Sequence, residues 1–165
     1  MSRRIVISFP GGRGYEIPLL YFGAKHYEDM GYEKLLISHL DLGDYSFEAI
    51  LGNAERIISR IDFHEYEDIV FVCKSIGTEV ACILKEKYHI PAKLILFPPI
   101  EVTLSFIREN NDILLVALGD KDRYVDAVKV KELCDAENIN CHIEPGVGHR
   151  MEVLNDLKRN LEIVE

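Results

Sequence analysis

Short apolar runs alternate with stretches of helical spacing along the whole chain, and most of the runs are apolar at consecutive positions. Ile5 to Phe9, Leu35-Leu36-Ile37-Ser38, Ile69 to Cys73, Leu94-Ile95-Leu96-Phe97, Ile113 to Leu118 and Asn140 to Glu144 read as six strands. A strand that is apolar on both faces must be covered on both faces, which calls for helices above and below a parallel sheet. The helical patterns lie between the runs. Ile17 to Met30 is one. Phe47, Ile50, Leu51, Ala54, Ile57, Ile58 and Ile61, repeating at three- and four-residue steps, form the clearest amphipathic helix. A third begins near Gly77, a short one falls within Pro98 to Asn111, another runs from about Tyr124 to Ala136, and the last carries Met151, Leu154, Leu157 and Leu161. The expected fold class is α/β: three layers, α/β/α, around a mostly parallel six-stranded sheet.

The composition fits one such unit. The chain has 165 residues, enough for a single domain over residues 1–165, and 48% of them are hydrophobic. A formal net charge of -9 argues against binding nucleic acid or an anionic membrane surface. No apolar run approaches the ~20 residues needed to span a bilayer. The N-terminal segment Met1 to Pro10 superficially resembles a signal peptide, but its apolar part is too short and Gly11-Gly12 follows, so it reads as a strand. Cys73, Cys82, Cys134 and Cys141 are not spaced as metal-binding pairs. They read as small core thiols of a reducing compartment, so a cytoplasmic protein without metal or other cofactor is expected.

In parallel sheets, ligands bind outside the carboxyl ends of the strands. Four groups fall there: Pro10-Gly11-Gly12-Arg13-Gly14 after strand one, Ser75 after strand three, Asp120 and Asp122 after strand five, and His149 after strand six. A serine hydroxyl becomes a nucleophile when an imidazole takes its proton, and a carboxylate on the other ring nitrogen fixes the tautomer. The tetrahedral intermediate needs two backbone N–H donors. Ile76, just after the serine, supplies one candidate, and Gly12 or Gly11 the other. Each feature also has a plainer reading. A serine at a strand-helix junction caps helices, Gly-x-Asp-x-Asp forms turns, and a histidine after Gly-Val-Gly can simply open a helix.

The elbow Cys73-Lys74-Ser75-Ile76-Gly77, the acid turn Gly119-Asp120-Lys121-Asp122-Arg123-Tyr124-Val125 and the loop Gly146-Val147-Gly148-His149 come in the order serine, acid, histidine, each after a strand. In that order and placement the chain resembles the α/β-hydrolase family over nearly its whole length. The resemblance implies Ser75 as nucleophile, His149 as general base and acid, and Asp122 as the orienting carboxylate, with Asp120 the competing acid. It also implies strand order 2-1-3-4-5-6, a minimal core lacking two N-terminal strands, and an open, lidless site. The substrate would be a small-molecule carboxylic ester or thioester. Cys73 departs from the pattern, standing where the elbow usually has its first glycine.

Two other classes of function remain open on the residues. Gly12-Arg13-Gly14 between a strand and a helix, with Asp41 after the second strand, is a partial dinucleotide fingerprint that lacks its third glycine, since Ile17 stands there. A catalytically inactive interaction module is the other, and its unprotected sheet edges would suit a homodimer. Arg13, Lys74, Lys121, Arg123 and Arg150 gather at the rim loops, either as scattered surface charge or as attraction for an anionic acyl or phosphorylated substrate.

Overall fold

The computed structural model describes residues 2–12, 14, 17–108 and 111–164. Six strands, β1 (Arg3–Phe9), β2 (Glu33–Leu36), β3 (Tyr66–Cys73), β4 (Lys93–Leu96), β5 (Ile113–Gly119) and β6 (Cys141–Glu144), form one sheet. Its order is β2-β1-β3-β4-β5-β6 and every neighbouring pair is parallel. The helices are α1 (Pro18–Asp29), α2 (Phe47–Ile58), α3 (Ile76–Lys87), α4 (Ala127–Ala136) and α5 (Leu157–Val164). Short 3-10 turns occupy Phe63–Glu65 and Glu101–Phe106.

The consecutive apolar positions have the effect expected of them. Ile5, Ile7 and Phe9 of β1, with Ile69, Phe71 and Cys73 of β3, pack in one cluster with Ile50, Ala54 and Ile58 of α2, Val80 and Leu84 of α3, and Val130 of α4. Val6, Val70 and Val72 belong to a second cluster with Leu20 and Ala24 of α1. Alternate side chains of one strand thus feed opposite faces, and both faces are dry. Burying each such side chain is worth about 1.5–3 kcal/mol, which is why the central strands fix the layers. Cys73, Cys82 and Cys134 are buried, Cys141 is half-buried, and all four are free thiols.

The register places the site. Phe9 lies opposite Cys73, so β1 and β3 end level with each other. The glycine turn after β1 and the serine after β3 therefore leave the sheet side by side. Gly119 lies opposite Glu144, which does the same for the loops after β5 and β6.

Three of the boundaries that differ from expectation have a visible local cause. β2 ends at Leu36, because Ser38 N–H turns back to the Leu36 carbonyl at 3.0 Å and the chain leaves the sheet. α4 starts at Ala127, where the Asp126 side chain accepts from the N–H groups of Val128 and Lys129. α5 starts at Leu157 and not near Met151. The segment before it is an irregular bend, clasped where the Asn160 side chain bonds both the N–H (2.5 Å) and the carbonyl (2.9 Å) of Val153.

Candidate active site

Ser75 occupies the tip of a tight elbow between β3 and α3, with φ 54° and ψ -128°. A side-chain-bearing residue held there stores about 1–3 kcal/mol of strain and persists only where its surroundings over-determine it. They do. Lys74 N–H donates to the Phe9 carbonyl at 2.9 Å, Ser75 N–H to Pro98 at 2.9 Å, and Gly77 N–H back to Lys74 at 2.8 Å. The Thr78 hydroxyl sits 2.6 Å from the Ser75 carbonyl oxygen. Gly77 is required by proximity: a Cβ there would lie 2.3 Å from the Phe9 carbonyl oxygen. Cys73 is fully buried at the strand end, so the elbow tolerates its small side chain.

Ser75 stands at the cap position of α3, yet its side chain makes no capping bond. Its Oγ lies 2.8 Å from His149 Nε2, and His149 Nδ1 lies 2.8 Å from Asp122 Oδ2. A carboxylate only accepts, so Nδ1 carries the ring proton and Nε2 of the neutral ring accepts from the serine O–H. The Asp122 side chain is fully buried and that of His149 nearly so. The second carboxylate oxygen of Asp122 accepts from Tyr124 N–H at 2.8 Å. Asp120 faces elsewhere: it accepts from Gly146 N–H at 2.7 Å and pairs with Lys121 at 3.5 Å. It fastens the start of the histidine loop to the acid turn. Gly119 makes that docking feasible, since a Cβ would lie 2.0 Å from the Val147 carbonyl oxygen. Lys121 N–H then reaches that same carbonyl at 2.9 Å.

The glycine turn closes over the serine. A Cβ on Gly11 would stand 3.5 Å from Ser75 Cβ, whereas Gly12 is exposed with open space around it. Ile76 is the first residue of α3, so its N–H has no partner within the helix. Ser75, His149, Gly11 and Gly12 border one cavity of about 750 Å³. Asn160 and Val164 of α5 border it too, so this helix forms part of its wall. A second hollow, also about 750 Å³, lies beyond the acid turn among Asp120, Asp126 and Ile143, and does not include Ser75.

Of the cationic rim, Lys74, Arg123 and Arg150 border the serine cavity, and Lys121 is exposed outside it. Arg13 lies outside the described residues. Asp41 is exposed and away from the cavity. Two contributors were not singled out by sequence. The Tyr124 ring lies against His149, centroids 4.5 Å apart. The buried His39 places Nε2 3.2 Å from the Gly11 carbonyl oxygen, bracing the glycine turn, while its Nδ1 has no partner among the described residues. Burial pushes the His39 pKa below its ordinary value, and the bond to Gly11 only partly offsets this. No helix among the described residues is long and apolar enough to cross a membrane.

No family model matches the chain, and no curated protein matches it in sequence. Solved structures match it in fold. An alpha-beta serine hydrolase homologue from Coxiella burnetii aligns over 99% of this chain and 84% of its own, with TM-score 0.70 and 16% identity. Est1E from Butyrivibrio proteoclasticus aligns over 99% and 85%, with TM-score 0.67 and 15% identity. Thermogutta terrifontis esterase 2, phosphonylated by cyclosarin in that structure, aligns over 99% and 80%, with TM-score 0.65 and 16% identity. With its parallel sheet in the order β2-β1-β3-β4-β5-β6 and helices on both faces, this chain has the α/β-hydrolase fold.

Proposed function

We propose that the protein is a serine hydrolase acting on a carboxylic ester or thioester. The observation that carries this reading is the unbroken relay from Ser75 Oγ through His149 to the buried Asp122, both links at 2.8 Å, on a serine held in a strained elbow. Similarity to structures that include a named esterase supports it. In this reading Ser75 Oγ attacks the carbonyl carbon while His149 Nε2 takes its proton, and Asp122 stabilises the imidazolium. The oxyanion that forms is met by the N–H of Ile76 and a second N–H from the glycine turn, Gly12 or Gly11. Collapse expels the alcohol or thiol, which leaves with the proton held on Nε2. Water, deprotonated by the same nitrogen, then attacks the acyl-Ser75 ester and the serine is restored. The chemistry so written needs no metal or cofactor. Tyr124, its ring tilted against the imidazole with centroids 4.5 Å apart, helps keep the ring in its reactive orientation.

A neutral fluorophosphonate probe with peptide mapping tests this. The expected adduct is on Ser75, absent in Ser75→Ala and weak in His149→Ala. A folded protein that labels elsewhere, or not at all, would make the chain a hydrolase-like protein without this activity.

A further inference from the structure

The residue just before the nucleophile has an environment that a structural lysine does not need. Lys74 is 9% exposed and borders the cavity beside Ser75. Its stem runs past the glycine turn, with Cδ 3.9 Å from where a Gly11 Cβ would be. An ammonium has three N–H donors, and buried charges are ordinarily paired. Among the described residues, Lys74 Nζ meets one acceptor, the His149 carbonyl oxygen at 3.4 Å, and no carboxylate within ion-pair distance. The nearby Asp122 carboxylate is committed to His149 and Tyr124.

Most of the remaining charge on the described cavity wall has the same sign. Among the described residues, Arg150 and Arg123 border it, against a single further carboxylate, Glu152, which is bonded to Arg150 at 2.6 Å. The Arg150 guanidinium is near enough to repel the Lys74 ammonium. Among the described residues, Lys74 and Arg123, with Arg150 paired to Glu152, leave this cavity with a net positive charge beside Ser75 in a chain of net charge -9. Such an arrangement is relieved by an anion placed between the cations.

We infer that this site, on the hydrolase reading above, selects substrates carrying a carboxylate a few bonds from the scissile carbonyl, received by Lys74 Nζ with Arg150 and Arg123 around it. The burial that strips Lys74 of water also makes its charge conditional. Desolvation pushes its pKa down to about 8, with Arg150 pushing the same way and Asp122 and Glu152 opposing. Below that pH the amine is charged and binds the anion. Above it the selectivity decays.

The experiment compares mono-(4-nitrophenyl) glutarate with 4-nitrophenyl pentanoate, and 4-acetoxybenzoate with phenyl acetate, each enzymatic rate taken after subtracting spontaneous hydrolysis. The wild-type protein is expected to favour one anionic ester at least about tenfold in kcat/KM near pH 7, the scale of one charge-assisted hydrogen bond. The favoured pair shows whether the acyl or the leaving side faces Lys74. The preference should collapse in Lys74→Met, which keeps the stem and removes the charge. It should also fall in the wild type as pH rises through about 8, a readout that does not depend on the variant folding. Equal rates in both pairs, or a preference untouched by pH and by Lys74→Met, would overturn the inference. Fluorophosphonate labelling of wild-type Ser75 in the same preparation separates the two readings: labelling with equal rates sinks only the carboxylate selectivity, and no labelling sinks both.

Discussion

Two helices of twelve residues each begin at a serine, and the two serines do opposite things. Ser46 enters α2 with φ -61° and ψ 157°, and its hydroxyl accepts from Ala49 N–H at 3.3 Å. Ser75 enters α3 with φ 54° and ψ -128°, caps nothing, and gives its hydroxyl to His149. The first serves its own helix and relieves an orphan donor. The second leaves the helix start open and accepts strain, which the carbonyls of Phe9 and Pro98 hold in place. Local chemistry is the same in both cases. What separates them is the distant partner, which on the proposed mechanism distinguishes a stabilising serine from a reactive one.

The contrast can be broken most severely at its far end. Asp122→Asn keeps a side chain of the same shape on His149 but favours the wrong tautomer, so ester turnover should fall about 10^4-fold while the thermal midpoint moves little. The equivalent change next to Ser46, Asp44→Asn, should leave turnover alone. Turnover near wild type in Asp122→Asn would place the orienting acid elsewhere. Next in size, Gly77→Ala drives a methyl to 2.3 Å from the Phe9 carbonyl, and about 3 kcal/mol or more of stability should disappear in urea unfolding. Gly52→Ala, in α2 with open space around it, should instead gain about 0.5–1 kcal/mol.

A finer test sets the serines directly against each other. Ser46→Ala should lose about 1 kcal/mol with activity intact. Ser75→Gly should lose all turnover and gain about 1 kcal/mol, because glycine tolerates the positive φ. Equal losses of stability would mean that Ser75 is not strained. The smallest effect concerns His39, which braces the turn beside Ser75 and has no counterpart near Ser46. Its folded pKa lies below the ordinary 6.5, so the unfolded chain takes the proton first as pH falls. The contribution is complete above about 6.5 and drains away as pH drops toward the lowered value. His39→Gln, which can still donate to Gly11, should flatten the decline in urea midpoint between pH 7 and 5.

Much of this was legible in the sequence because it depends on short spans. Consecutive apolar residues such as Ile69 to Cys73 specify a strand dry on both faces, and their spacing by helical stretches specifies parallel order. The loops at the carboxyl rim followed from that alone, which is why Ser75, Asp122 and His149 could be considered together. Helix starts were less legible. Leu154 and Met151 keep helical spacing with Leu157, but the Asn160 clasp on Val153 holds that segment out of the helix. His39 gave no signal at all, since its role rests on the approach of two loops and on no sequence spacing. Lys74 was visible as a charge; its burial was not.

The relay has one consequence for how the protein comes into being. Ser75 sits at the middle of the sheet, while its imidazole arrives 74 residues later, from the loop beyond the outermost strand. The acid turn and that loop dock through Gly119 on Val147, so base and acid assemble together when β6 joins. On the proposed mechanism, a nascent or truncated chain ending before β6 carries an inert alcohol, and the first covalent adduct on Ser75 would date the moment the fold is finished.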